Sequence, residues 1–394
     1  MKNSPVRMSA AVGAMLCALL CLGGAARGAT VADLVNQVSQ TDYQGYHSTI
    51  EAIGLDAGTD FDGDGSVQGY RGRFTTGGSY SDSNSLVFSE TNQDAQAYFK
   101  SRFLGMGLDP DKVGIQGRFK NVVAELTGHA AANQRKTYIV GAHFDHLGLD
   151  GGGPSGDANR DRPGGDDNAS GTAAVLEAAR VLSQYQFQHT ILFIAFNCEE
   201  RGLWGSTDYV ADLDANERSN IIGMIDLDMI LRPGSDGQPG TWVIDLDLGV
   251  KPSSGSLHTS WASTFRTAAG TYVPGLQVDT TTHVISSDCS DHAPFADANI
   301  PAFMAIENTV SELMPSDPNQ RTNRYYHTYN DASWRLANDS NSPSGVTYDF
   351  PFATDVTRAV VATLAQEAVL VPEPGTMAIL GAGVAALLVR RRRK

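Results

Sequence analysis

Ile191-Leu192-Phe193-Ile194-Ala195-Phe196-Asn197-Cys198-Glu199-Glu200-Arg201-Gly202 decides how this chain is read. Six apolar residues in a row, bounded by polar ones, have the length of a strand buried on both faces. Two carboxylates follow at its end. Adjacent carboxylates against a buried strand are costly unless something positive sits beside them. The same pattern recurs upstream and downstream. His143-Phe144-Asp145-His146 closes the apolar run Thr137–Ala142, and Gly164-Gly165-Asp166-Asp167-Asn168-Ala169-Ser170-Gly171 opens an amphipathic stretch. Asp226-Leu227-Asp228-Met229 ends another apolar run.

Around these motifs the rhythm is strand, loop, helix, strand. Strands are expected at 121–126, 137–142, 191–196, 221–229, 242–246 and 301–306. Helices are expected at 170–182, 256–269 and 352–370, the first opened by Asn168-Ala169-Ser170 as cap material. Such alternation predicts an α/β fold, a three-layer αβα sandwich with a mixed, mainly parallel sheet. In such folds ligands gather beyond the carboxyl ends of strands, where these motifs lie. Before residue 121 the signal is mixed, with helices expected over 31–50 and 92–104.

A hydrolytic zinc site needs imidazole and carboxylate ligands, an open position for water, and a base. His143, Asp167, Glu199, Glu200, Asp228 and His327 (in Tyr325-Tyr326-His327-Thr328) supply that inventory at strand or helix ends. One such histidine has a structural explanation; six such groups do not. The period of a strand puts Asp226 on the same face as Asp228. His146 and His292 are read as shaping the pocket. His47, His129, His189, His258 and His283 are read as surface or loop residues, and Trp204 as packing.

These motifs, with Ser290-Asp291-His292-Ala293-Pro294-Phe295, closely resemble in type and order those of the secreted co-catalytic di-zinc aminopeptidases, relatives of glutamate carboxypeptidase and glutaminyl cyclase. The resemblance runs from Asn121 to the closing helix. It implies two Zn2+ ions, one held by His143 and Asp228, the other by Glu200 and His327, with Asp167 bridging. It also implies a cis peptide between Asp167 and Asn168. Glu199 becomes the general base, taking a proton from the attacking water and passing it to the leaving amine. Asp145 would orient His143 from behind. Tyr326 is a candidate donor to the tetrahedral intermediate. Where some relatives carry a tyrosine and a second cysteine near Cys289, this chain has Ser287 and Ile285, so the pocket wall differs. Only Cys198 and Cys289 lie outside the leader, so at most one disulfide is possible; both are expected as free thiols.

The implied activity is removal of N-terminal residues from peptides. Carboxypeptidase or glutaminyl cyclase chemistry on the same site is the alternative within enzymes. A non-catalytic surface receptor is the alternative outside them; the complete set of candidate ligands argues against it.

The ends of the chain read differently from its body. Lys2 and Arg7 precede an uncharged apolar stretch, 10–26, and small residues near Ala26-Arg27-Gly28, which predicts a secretory signal over 1–29. At the other end Pro372-Glu373-Pro374, the apolar run 376–389 and Arg390–Lys394 closely resemble a PEP-CTERM sorting signal. That implies an exosortase-type partner and export to the cell envelope, surface or extracellular matrix of a Gram-negative-type bacterium. Membrane contact is expected only through this segment, 371–394. The resulting division is 1–29, an N-terminal segment 30–120, a catalytic domain 121–370 and the sorting segment.

The formal charge is −15, and eight of the 29 basic residues lie in these two ends. So acidic a body repels nucleic acid, which excludes that class of partner. Asp60, Asp62 and Asp64, alternating with glycine, resemble the start of a calcium loop, although Arg71 stands where the closing glutamate is required. An acidic surface turn is the plainer reading, and a loosely bound Ca2+ the alternative.

Overall fold

A computed structural model of the chain describes residues 28–54, 72–147, 163–232, 243–248, 255–284, 289–307, 326–327, 331–333 and 348–371. The chain divides into a body, Val31–Leu370, and a second unit of 1–30 with 371–394, of which only 28–30 and 371 are described. The expected secretory signal up to residue 27, the acidic stretch Asp60-Asp62-Asp64 and the apolar run 376–389 therefore lie outside the described residues. Among the described residues no helix is long and apolar enough to cross a membrane.

The body is built on an eight-stranded sheet. In chain order its strands are β3 (Val113–Gln116), β4 (Asn121–Leu126), β5 (Thr137–His143), β6 (Thr190–Phe196), β7 (Ile221–Leu227), β8 (Val243–Leu248), β9 (Gln277–Val284) and β10 (Ala302–Ile306). A two-stranded ribbon, β1 (Thr75–Thr76) with β2 (Val87–Phe88), stands apart from it. The spatial order is β3-β4-β6-β5-β7-β10-β8-β9. The central four, β6, β5, β7 and β10, run parallel. β4 and β8 pair antiparallel to their outer members, which makes the sheet mixed.

The parallel core follows from composition. Tyr138, Ile139 and Val140 in β5, and Phe193, Ile194 and Ala195 in β6, are buried on both faces, as strands covered by helices on both sides must be. On one face α3 (Glu90–Gly105) packs on β3 and β4, α4 (Ala169–Leu182) on β5 to β7, and α7 (Gly255–Tyr272) on β8 to β10. Over α4 lie α2 (Gln40–Gly54) and α9 (Phe350–Glu367), with α1 (Val31–Val35) against α9. On the other face α5 (Trp204–Asp212), α6 (Ala215–Asn220) and α8 (His292–Asp297) cover a core of Ile139, Ile194, Phe196, Met224 and Phe295. That is the expected three-layer sandwich.

The helix expected over 31–50 is instead two helices. Ser39 breaks it, accepting a hydrogen bond through its hydroxyl from Asp42 N and through its carbonyl from Tyr43 N. This is the local competition by which serine favours helix starts over helix interiors. Strands β3 and β9, both at sheet edges, carry no clear sequence signal.

Candidate metal centre

Three adjacent parallel strands end at one edge of the sheet, and each delivers a candidate ligand there. His143 is the last residue of β5 and pairs with Phe196, the last of β6. Glu199 and Glu200 follow Phe196 through Cys198, whose φ of 61° turns the chain sharply. Asp228 comes directly after β7. Asp167 arrives from the opposite direction, in the turn before α4. There Asn168 caps the helix by accepting from Gly171 N and donates its amide to Leu227 O, tying the turn to the end of β7. Gly171 is required at this contact, because a Cβ would stand 2.2 Å from Leu227 O. The Asp167–Asn168 peptide is cis, as the resemblance implies.

The side chains converge in two groups. His143, Glu199 and Asp228 have ligand atoms within 4.8 Å of one another, and so do His146, Asp167 and Glu200. His143 Nε2 lies 3.5 Å from Asp228 Oδ1 and 4.0 Å from Glu199 Oε2. His327 Nε2 joins the second group, 3.4 Å from Glu200 Oε2. Asp167 faces both: Oδ1 is 3.4 Å from His143 Nε2, and Oδ2 is 3.1 Å from His327 Nε2. The ring of Tyr326 stacks on that of His327, centroids 3.7 Å apart. Tyr326 and Cys289 border a buried apolar cluster of Met229, Met304 and Ile306.

Electrostatics explains why this arrangement suits a cation. Burial raises the pKa of Glu199 well above the ordinary carboxylate value; Glu200, Asp228 and Asp291 raise it further. Burial likewise raises that of Asp228. Burial alone would depress His143, yet Glu199 and Asp228 raise it well above 6.5. Asp167 is pushed up by burial but held low by His327, His146 and His143. Among the described residues, buried Asp228 Oδ1 and His146 Nε2 have no hydrogen-bond partner. Carboxylates that repel one another, set beside imidazoles with lone pairs left over, are the donor types a zinc ion takes. The residues present fit that ion.

Several side chains around the two groups are buried with them. The Asp145 carboxylate lies 3.8 Å from His143 Nδ1 through Oδ1 and accepts from Glu199 N at 3.0 Å and Glu200 N at 3.3 Å; its backbone carbonyl is 3.1 Å from the same His143 nitrogen. His146 comes within 3.0 Å of Glu200 Oε1, as near to the acidic cluster as His327. Asp226 belongs to neither group, and its Oδ2 accepts from His292 N. His47 and His258, expected on the surface, are fully buried: His47 Nε2 sits 2.7 Å from Gly165 O, and His258 Nδ1 accepts from Ala302 N. Burial lowers the His47 pKa to about 4, so it is neutral at ordinary pH. His129 is exposed, and Cys198 and Cys289 are free thiols.

Several supporting residues had no sequence signal. The Asp331 carboxylate accepts from Asp166 N, from Asp167 N and from the Tyr348 hydroxyl. Glu51, on α2, accepts from Ser333 N. Arg73, fully buried, donates to four backbone carbonyls.

Comparison with known proteins bears on the family and the fold. The PEP-CTERM protein-sorting motif matches residues 370–393. A probable zinc metalloprotease of Pyrenophora tritici-repentis is 37% identical over 125 residues, 32% of this chain and 24% of that protein. Aminopeptidase YwaD of Bacillus subtilis is 32% identical over 186 residues, 46% of this chain and 36% of that protein. The chain thus spans well under half the length of these curated relatives. Among solved structures, the LapA aminopeptidase of Legionella pneumophila superposes with a TM-score of 0.57 at 18% identity, covering 86% of this chain and 74% of LapA. The glutaminyl cyclase of Porphyromonas gingivalis gives 0.56 at 15% identity, covering 84% and 98%. Both likenesses concern the fold. The sequence pattern of peptidase family M28 matches residues 121–345, more than half of the chain and every residue of the two acidic clusters, and the chain belongs to that family.

Proposed function

We propose that the chain is a zinc-dependent aminopeptidase with two co-catalytic ions. The observation that carries this reading is Asp167, whose two carboxylate oxygens address the two ligand groups separately. His143 and Asp228 would hold one ion and Glu200 and His327 the other, with Asp167 shared. His146, on the Glu200 side, would bound that half. Zinc, when bound, supplies Lewis-acid activation of water and of the peptide carbonyl.

The protein's own part begins with Glu199. Its backbone is fixed by Asp145, and its carboxylate lies at the edge of the His143 group, 4.0 Å from the nearest imidazole nitrogen. It would accept the proton of the attacking water and return it to the amine that leaves, work suited to a carboxylate whose burial raises its pKa. Tyr326 would hold its phenol toward the developing oxyanion. The segment 371–394 would direct export and be cut by an exosortase-type enzyme.

Aminoacyl chromogenic amides and their N-blocked counterparts, assayed with and without chelator, test the reading. Cleavage of the unblocked amides alone, abolished by chelator and restored by Zn2+, is the expected result. Glu199→Gln should lower kcat by about 100- to 10,000-fold while still taking up zinc. Full activity in that variant, or cleavage that survives metal removal, would sink the mechanism.

A further inference from the structure

The fully buried Arg73 stands outside the family match, in the segment between α2 and α3. Its Nε donates to Phe144 O at 2.6 Å, Nη1 to Ile50 O at 3.1 Å and Pro163 O at 2.6 Å, and Nη2 to Gly164 O at 3.1 Å. Four donations from one rigid fork thus go to three separate stretches of main chain. Phe144 links His143 to Asp145. Pro163 and Gly164 lead into Asp166-Asp167. Ile50 belongs to α2, which carries His47 and Glu51.

The main chain of Arg73 extends the brace. Its carbonyl accepts from His146 N at 2.9 Å and from Asn92 Nδ2 at 3.2 Å. The fit is close around the guanidinium: a Cβ on Gly164, where φ is +58°, would stand 2.9 Å from Nη2 and 2.9 Å from the His146 ring. The charge is in place as well. Burial lowers the Arg73 pKa to about 10, still protonated at neutral pH, and Asp145, Asp167, Asp331 and Glu51 surround it.

We propose that Arg73 is a positioning residue for the two-metal site: it sets the separation of the His143–His146 and Gly164–Asp167 segments, and so the span between the two ligand groups. This rests on the zinc reading above. Its particular claim is that the segment before residue 121 helps to determine how tightly the ions are held. A general stabilising role would lower the melting temperature without altering metal affinity. A positioning role alters affinity, because Asp167 must reach both groups at once, and removal of groups behind metal ligands typically costs 10- to 100-fold in affinity.

Zinc dissociation constants of the full chain, measured by competition with a chromogenic chelator, decide between these roles. Arg73→Met removes the fork and its charge. Arg73→Lys keeps the charge with fewer and less rigid donors, and decides the question alone if Arg73→Met does not fold. Trp261→Phe, which removes a buried hydrogen bond to Met224 O far from the site, is the control for general destabilisation. Arg73→Lys should bind zinc about 10- to 100-fold more weakly than wild type, and Trp261→Phe within twofold of it. Affinity in Arg73→Lys within twofold of wild type overturns the proposal, as does an equal loss in Trp261→Phe. Absence of zinc binding by the wild-type protein would instead refute the zinc reading itself.

Discussion

Asp145→Asn isolates the carboxylate behind the site. Asp145 is buried, and its two oxygens accept from the backbone N–H groups of Glu199 and Glu200. Burial, with Glu200 adding to it, raises its pKa in the metal-free protein from 3.8 to about 6, despite the opposing pull of His143. A carboxylate whose pKa is higher in the folded than in the unfolded state binds its proton more tightly when folded. Its ionisation therefore costs stability, progressively between pH 4 and pH 6 and constantly above that, by about 3 kcal/mol. Asparagine never ionises. Urea unfolding in chelator should show the variant-minus-wild-type difference moving by about 3 kcal/mol in the variant's favour from pH 4 to pH 8. Any fixed loss from the weaker hydrogen bonds cancels in that comparison. The zinc-loaded enzyme should respond oppositely. Exchanging a charged acceptor for an amide beneath Glu199 and Glu200 forfeits on the order of 1.5–3 kcal/mol, so kcat should fall about 10- to 100-fold. Stability differences parallel across pH, or kcat within twofold of wild type, would refute the assignment of Asp145 as the strained anchor of this pair.

Two further expectations follow from buried contacts. Gly171→Ala would press a methyl group 2.2 Å from Leu227 O and 2.5 Å from Asn168 Oδ1. It should cost about 1–3 kcal/mol and displace Asp228, visible as weakened zinc binding; an unchanged melting temperature and zinc affinity would contradict the close approach. His47 has a pKa below that of the unfolded chain, so its contribution is complete above pH 6.5 and is lost as pH falls towards 4. His47→Gln should remove about 3 kcal/mol of acid sensitivity between pH 7.5 and pH 4, and an unaltered acid limb in denaturant titrations would refute that.

What the sequence made legible was whatever chemistry is written in contiguous motifs. His143, Glu199, Glu200 and Asp228 each end or follow an apolar run, because a parallel sheet presents side chains to a ligand at its strand ends, and Asp167 sits in a glycine-rich turn that opens a helix. Arg73 and Asp331 were invisible for a physical reason. They act on backbone carbonyls and N–H groups, which every residue has, so no partner residue type marks the contact. His47 was misplaced because one histidine in a weakly periodic helix reads as surface until α9 is known to cover it. The groups that donate to the Asp145 carboxylate, Glu199 N and Glu200 N, are again main chain. The two short helices at the start resolve only when Ser39 is weighed as a cap rather than as an interior residue.

The end of α9 places one more constraint on this molecule. Leu370 bridges to Phe187, while Gln188 N donates to Val369 O and His189 N to Ala368 O, just ahead of the first residue of β6. Glu199 and Glu200 lie past the last residue of that strand, about 20 Å away along its length. Leu370, where α9 has run out, therefore lies by the start of β6, and the two acidic groups gather beyond that strand's far end.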